Sequence, residues 1–241
     1  MTPPLLRFAP ALCTLFLAAP AAAEKALEHE TAPLLLAAAE KAKANADNLY
    51  AFNVEHWSSN GEKEVTVKLH YDPRLEKGER WQVLSPGEDE LEKPAQKTLS
   101  KLRKTEMEDN PVLYEKLDEM IEAADFLEET ETEAVYVAQV DGDDFPKDAL
   151  EVYITLNKPG VYVSKIEVRS KKAFKPMPIA KVEHLLETRT FTAPEGDGPA
   201  FIEATNSVVE GEAMFKSFKQ LTHQTFSDIE KVGVAADDAG E

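Results

Sequence analysis

The sequence predicts an α+β protein: a curved antiparallel sheet, or unclosed β-barrel, with an N-terminal helix and an inserted helical pair covering one face. Three observations carry that expectation. Apolar and polar residues alternate in two blocks, from Leu49 to Leu84 and again from Glu133 onward, as half-buried strands require. Turn signals at Asn60-Gly61, Asp141-Gly142, Lys158-Pro159-Gly160 and Gly196-Asp197-Gly198 punctuate the runs, so consecutive strands pair as antiparallel neighbours. Helical spacing is confined to one segment before the first block and one acidic stretch between the two, which places helices over a sheet rather than between parallel strands.

Residues 1–23 have the pattern of a secretory signal peptide: Arg7, an apolar run from Phe8 to Leu17, and a small-residue tract ending Ala21-Ala22-Ala23. Cleavage before Glu24 is expected, and the run is too short for a membrane anchor. Leu12 stands where a lipoprotein signal would place a small residue before Cys13. Over 31–47, Thr31 and Pro33 mark a helix start, with Leu35, Ala38, Ala42 and Ala46 on one face. So narrow an Ala-lined stripe calls for close packing on a broad apolar surface. "LYAFNVEHW" and "EKEVTVKLHY" flank "SSNG". Parity puts Phe52, Val54 and His56 on one face with Val67, Leu69 and Tyr71, and His70 on the other. "YDPRLEKGE" then reads as a turn into a third strand starting at Trp81.

Residues 86–133 form an acidic helical insertion, with 16 acidic and 6 basic side chains. Pro94 to Lys104 makes a short charged helix. Leu113, Leu117, Met120, Ile121, Ala124 and Leu127 form the apolar stripe of a second. About six further strands are expected beyond Glu133, and residues 234–241 form a disordered tail. The domain therefore spans 24–233.

The whole chain carries 27 basic and 45 acidic side chains, a net charge of −18. That balance argues against nucleic acid and favours a soluble monomer. Its single cysteine lies in the leader, so an exported chain of this length must rely on its own core, and a periplasmic location is expected.

No motif names a reaction. Gly-x-Ser-x-Gly and His-Glu-x-x-His are absent, and "GDGPA" lacks the lysine of a phosphate loop. His56 and His70 lie on opposite faces, while His184 and His223 stand apart from them, so no metal or cofactor is expected. "DGDDF", residues 141–145, lacks the spaced ligands of a calcium loop and reads as a hairpin turn. Residues 158–191 hold 8 basic and 3 acidic side chains. Two readings compete for Lys165, Arg169, Lys171, Lys172, Lys175 and Lys181. One is a solvated strand face neutralised by the acidic helices. The other is a basic rim around an apolar cavity that receives an anionic headgroup.

The leader, the apolar first helix, "YDPRLEKGERWQVL" and "GVYVSKIEVRSKKAFKPMPIAKVEH" together resemble the LolA-like group of periplasmic proteins. The resemblance implies an unclosed barrel lidded by helices, with lipid acyl chains between. The acidic insertion departs from the lipoprotein carriers themselves, so no family binding residue is transferred. The expected function is a non-enzymatic carrier of a lipid-like or acylated ligand, with a periplasmic or outer-membrane protein as a further partner. Leu35, Phe52, Val54, Val67, Leu69, Tyr71, Trp81, Leu117, Met120 and Ile121 are the residues expected to line its core or cavity, the latter between the curved sheet and its helical lids. Two alternatives stand beside it. One is an interaction module with a filled core and an acidic docking face through Glu115, Glu119 and Glu122. The other is a hydrolase whose polar groups converge in a pocket.

Overall fold

Thr31 precedes the first helix without a side-chain bond to its amides, and Pro33 opens its first turn. The computed structural model describes residues 24–104, 112–114, 117–139, 148–177, 179–214 and 216–235. Within them α1 spans Ala32–Lys43, α2 Lys93–Leu102 and α3 Leu117–Glu122. The strands are β1 Asn48–Ser59, β2 Glu64–Tyr71, β3 Trp81–Ser85, β4 Ala124–Glu129, β5 Glu133–Gln139 and β6 Leu150–Asn157. They continue with β7 Tyr162–Ser170, β8 Phe174–Met177, β9 Ala180–Phe191, β10 Ile202–Ala213 and β11 Lys216–Val234.

All eleven strands join one antiparallel sheet in the order β3-β2-β1-β11-β10-β9-β7-β6-β5-β4, with β8 paired to β9. The front hairpin has the expected parity: Phe52 faces Tyr71, Val54 faces Leu69 and His56 faces Val67. Its four-residue loop places Gly61 at φ +84 with open space around it, a left-handed conformation that glycine adopts freely. What fuses the two blocks is β11. Its 19 residues pair with β10 on one side and β1 on the other. β3 and β4 end the order without pairing to each other, so the curved sheet stays unclosed.

The 86–133 segment is less helical than its periodicity suggests. α3 stops at Glu122, and Ala124 to Glu129 instead pair with β5. Segment 24–26 covers that strand's outer edge through Ala26 N–H to Ala124 O (3.0 Å), Phe126 N–H to Glu24 O (2.7 Å) and the Lys25–Asp125 ion pair (2.6 Å). Ladder bonds on both sides, with Ala124 buried against the core, outweigh the weak helix preference of "ADFLEE". Leu127, expected on the helical stripe, is exposed. Of the expected tail, Val234 pairs with Asn48 and the Ala235 amide donates to Asp47 O at 2.7 Å. The expected leader, the expected turn at 141–145 and residues 236–241 lie outside the described residues.

A single apolar cluster joins Leu35, Ala38 and Ala42 of α1 to Tyr136, Ile154 and Leu156 of the sheet. α1 packs on β7 and α3. Its small side chains let it approach closely. The α1 entrance is fixed by the buried Thr31 hydroxyl bonded to the Tyr136 phenol. His29 adds a bond to Thr31 (2.8 Å) and stacks on Phe126 at 3.6 Å.

Candidate functional site

Strand parity and one helix build a cavity of about 670 Å³. Its sheet wall comes from the inward positions of four adjacent strands: Phe52, Val54 and His56 of β1, Val67 and Leu69 of β2, Trp81 of β3 and Phe226 of β11. Leu91 and, from α2, Ala95, Leu99 and Leu102 form the roof. Ala95, Leu99 and Leu102 recur at spacings of four and three, which puts them on one face of α2, and Leu91 extends the roof just before it. The roof is tied to the sheet edge by Arg103. Its guanidinium donates to the Trp81 carbonyl (3.1 Å) and, through two nitrogens, to Glu88 (2.7 and 2.9 Å). Across the cavity, Lys63 of the β1–β2 loop reaches Glu92 at 3.7 Å.

Polarity changes along the strands. Phe52, Leu69, Trp81 and Leu99 are buried at one end. Phe52 meets Tyr71, Trp81 and Phe226 there with ring centroids 5.1, 5.9 and 6.0 Å apart. Ser58, Asn60, Lys63, Gln220 and Gln224 line the other end, where Asn60, Lys63 and Gln220 are exposed. Phe52 and Ser58 are separated by roughly 20 Å at about 3.4 Å per residue. The cavity is therefore an apolar slot with a polar, solvent-facing mouth and a cation beside it. Its volume falls within the roughly 300–1,000 Å³ of small-molecule sites.

Halfway along sits His56, whose burial lowers its pKa below the ordinary histidine value. The folded state therefore holds the ring neutral near pH 7. An unfolded ring titrates near 6.5, so below that pH the unfolded chain binds the extra proton and stability falls. The loss accumulates until the pH passes the lower folded-state value, then levels off. Relative to His56→Gln, the native chain should lose urea resistance between pH 7.5 and 5, and parallel urea midpoints for the two would show no divergence if the ring were solvated.

Five of the ten expected lining residues, Phe52, Val54, Val67, Leu69 and Trp81, border this cavity. Tyr71 instead packs beside it against Phe52 and Trp81. Leu35, Leu117 and Ile121 are buried in the apolar cluster and do not border this cavity. Met120 borders a smaller space of about 150 Å³ with Leu113, Tyr114 and Phe191. The cavity thus lies beneath α2, not beneath α1. Leu91, Leu99, Leu102, Gln224 and Phe226 were missed by the sequence reading, although the roof spacing is visible in "LEKPAQKTLSKL".

None of the six residues expected as a basic rim borders the cavity. Arg169 pairs with Glu167 and lies 4.4 Å from the centre of the Tyr153 ring. Lys171 pairs with Glu151 at 2.7 Å and Lys181 with Glu183 at 3.0 Å. Lys172 and Lys175 are exposed, and Lys165 is half-buried on β7. Glutamates of the same sheet, rather than the acidic helices, supply the neutralising charge. Glu119 and Glu122 are exposed on α3, and Glu115 lies outside the described residues.

The β2–β3 connection is a closed turn. Arg74 grips Asp72 through bonds of 2.7 to 3.2 Å, Arg80 donates to Leu75 O (3.1 Å), and the Asp72 amide bonds Arg80 O (2.9 Å). Hydrogen bonding from Arg74 holds the Asp72 carboxyl below the usual carboxylate range. His70 bonds Asn53 (2.7 Å) and His223 bonds Asn206 (2.6 Å). Among the described residues no cluster of three or more His, Cys, Asp or Glu could hold a metal, and no helix is long and apolar enough to cross a membrane.

No family model matches the chain, and no curated protein matches it. Among solved structures, a DUF1329 family protein from Desulfovibrio piger aligns over 87% of this chain and 94% of its own, at 9% identity and a TM-score of 0.34. Similarity at that level assigns this chain neither a family nor a ligand.

Proposed function

We propose that this chain is a non-enzymatic, periplasmic binding or carrier protein for a lipid-like amphiphile. The observation that carries the reading is the slot of about 670 Å³ between β1, β2, β3, β11 and α2, apolar at its buried end and polar at its mouth. An acyl chain enters the buried end and exchanges water for the faces of Phe52, Leu69, Leu99 and Phe226, a gain proportional to the area covered. The polar part of the ligand remains near Asn60, Lys63 and Gln220. The export pattern of residues 1–23 and the resemblance to LolA-like carriers agree with such a role, in which a soluble protein shields acyl chains from water.

The test is native mass spectrometry, with lipid extraction, on protein purified from a periplasmic fraction. A bound amphiphile is expected in the native chain. Its content should fall in Val67→Trp, which fills the slot from the β2 side. Unliganded mass alone, in protein that is folded and exported, would defeat the reading.

A further inference from the structure

Four strands project past the rest of the sheet at the end where the slot opens. Pairing of β7 with β9 stops at Arg169 and Leu186, and pairing of β1 with β11 stops at Ser59 and Leu221. Beyond those points β9 runs on to Ala180 and β11 back to Lys216, with β10 between them and β8 along one side. From Leu221 to Lys216 the projection extends roughly 17 Å past the last β1–β11 pair, at about 3.4 Å per residue. Its two turns are joined by the Met214 amide bonded to Ile179 O at 3.0 Å. Met214 and Ile179, 71% and 62% exposed, are the most exposed large apolar side chains among the described residues. Water is a costly environment for two adjacent side chains of this kind, so such a patch marks a contact surface.

Charge says what it contacts. Residues 171–183 and 208–220, which contain the projection, hold six basic side chains, Lys171, Lys172, Lys175, Lys181, Lys216 and Lys219, against Glu183, Glu210 and Glu212. The local balance is positive in a chain whose net charge is −18. Lys172, Lys175 and Lys216 are exposed and make no ion pair among the described residues. Lys181 and Lys219 are held only by exposed pairs, to Glu183 at 3.0 Å and Glu210 at 2.7 Å, which contribute little in water. Apolar tips ringed by lysines suit an interface with an acyl layer beneath and phosphates above.

We infer that the β8–β9 and β10–β11 turns form a membrane-docking platform that seats Ile179 and Met214 in an anionic lipid surface, with the mouth of the slot turned toward it. The platform rests on its own residues, and a docked chain would hold Asn60, Lys63 and Gln220 near the headgroups from which an amphiphile is taken or to which it is returned. Charge steers the encounter, and the apolar tips hold it for a short residence.

Flotation of the purified full chain with phosphatidylethanolamine vesicles, with and without phosphatidylglycerol, tests it. Binding is expected only with phosphatidylglycerol and should weaken as salt rises. Lys175→Gln with Lys216→Gln should reduce it about thirtyfold, at about 1 kcal/mol per lysine. Ile179→Glu with Met214→Glu should abolish it, while near-ultraviolet circular dichroism and the amphiphile content of the slot stay unchanged. Failure of the native chain to float with anionic vesicles overturns the platform, as does flotation that survives both double variants or recruitment only through a membrane protein. Amphiphile content in the same samples reports the slot separately, so the two readings fail independently.

Discussion

Phe52→Ala is expected to destabilise the protein by about 3–5 kcal/mol, the cost of removing a fully buried phenyl group. Phe52 is 1% exposed and is the ring against which Tyr71, Trp81 and Phe226 all pack. Those neighbours come from β2, β3 and β11, so its removal loosens the joint between the front hairpin and the last strand. Collapse into the space is limited because the slot already lies beside it. Leu127→Ala, at an exposed β4 position, should cost less than about 0.5 kcal/mol. Equilibrium urea unfolding of both variants checks the contrast. Equal small effects would mean that Phe52 is not a keystone of the sheet.

Gly211→Ala should also be damaging, for a different reason. A methyl group added there would sit 2.1 Å from the Lys181 carbonyl oxygen and 3.1 Å from Val182 Cα. Both are backbone atoms of β9, so no side-chain rotation relieves the clash. The register shifts between Glu210 and Gly211, and only glycine permits the close approach of β9 and β10 at that irregularity. The sheet must open there, at about 1–3 kcal/mol or more for an overpacked site. Because the pinch lies at the base of the projecting turns, hydrogen exchange should rise at 180–183 and 208–213 while the β1–β2 ladder stays protected. Unchanged exchange at those amides would show that the strands separate freely.

What the sequence makes legible depends on how locally each feature is determined. The β1–β2 register follows from alternation and one turn, and β3 begins at Trp81 as its own pattern implies. β11 is harder to read because it is exposed along much of its length, and its place depends on backbone bonds to two partners that no side-chain pattern announces. β4 illustrates the same limit. "ADFLEE" acquires its strand conformation from β5 and from segment 24–26, which is a hundred residues distant. Which helix roofs the slot was not legible, because it depends on which helix stands off the sheet. Ala38, Ala39 and Ala42 let α1 press close, whereas α2 presents Leu99 and Leu102 and leaves a space beneath. Composition revealed the surplus of lysines in 158–191, but not that Glu151, Glu167 and Glu183 would face them across and along the sheet.

The central claim is that an acyl chain occupies the slot beside Trp81. The chain has two tryptophans, Trp57 and Trp81, and Trp57 lies at the opposite parity on β1, facing away from the slot. In Trp57→Phe protein the fluorescence therefore reports Trp81 alone. Titration with a fatty acid carrying a quenching nitroxide on its chain should quench that fluorescence saturably, and an unlabelled fatty acid should restore it. Fluorescence that stays constant, or falls only in proportion to the quencher in solution, would contradict an acyl-binding slot.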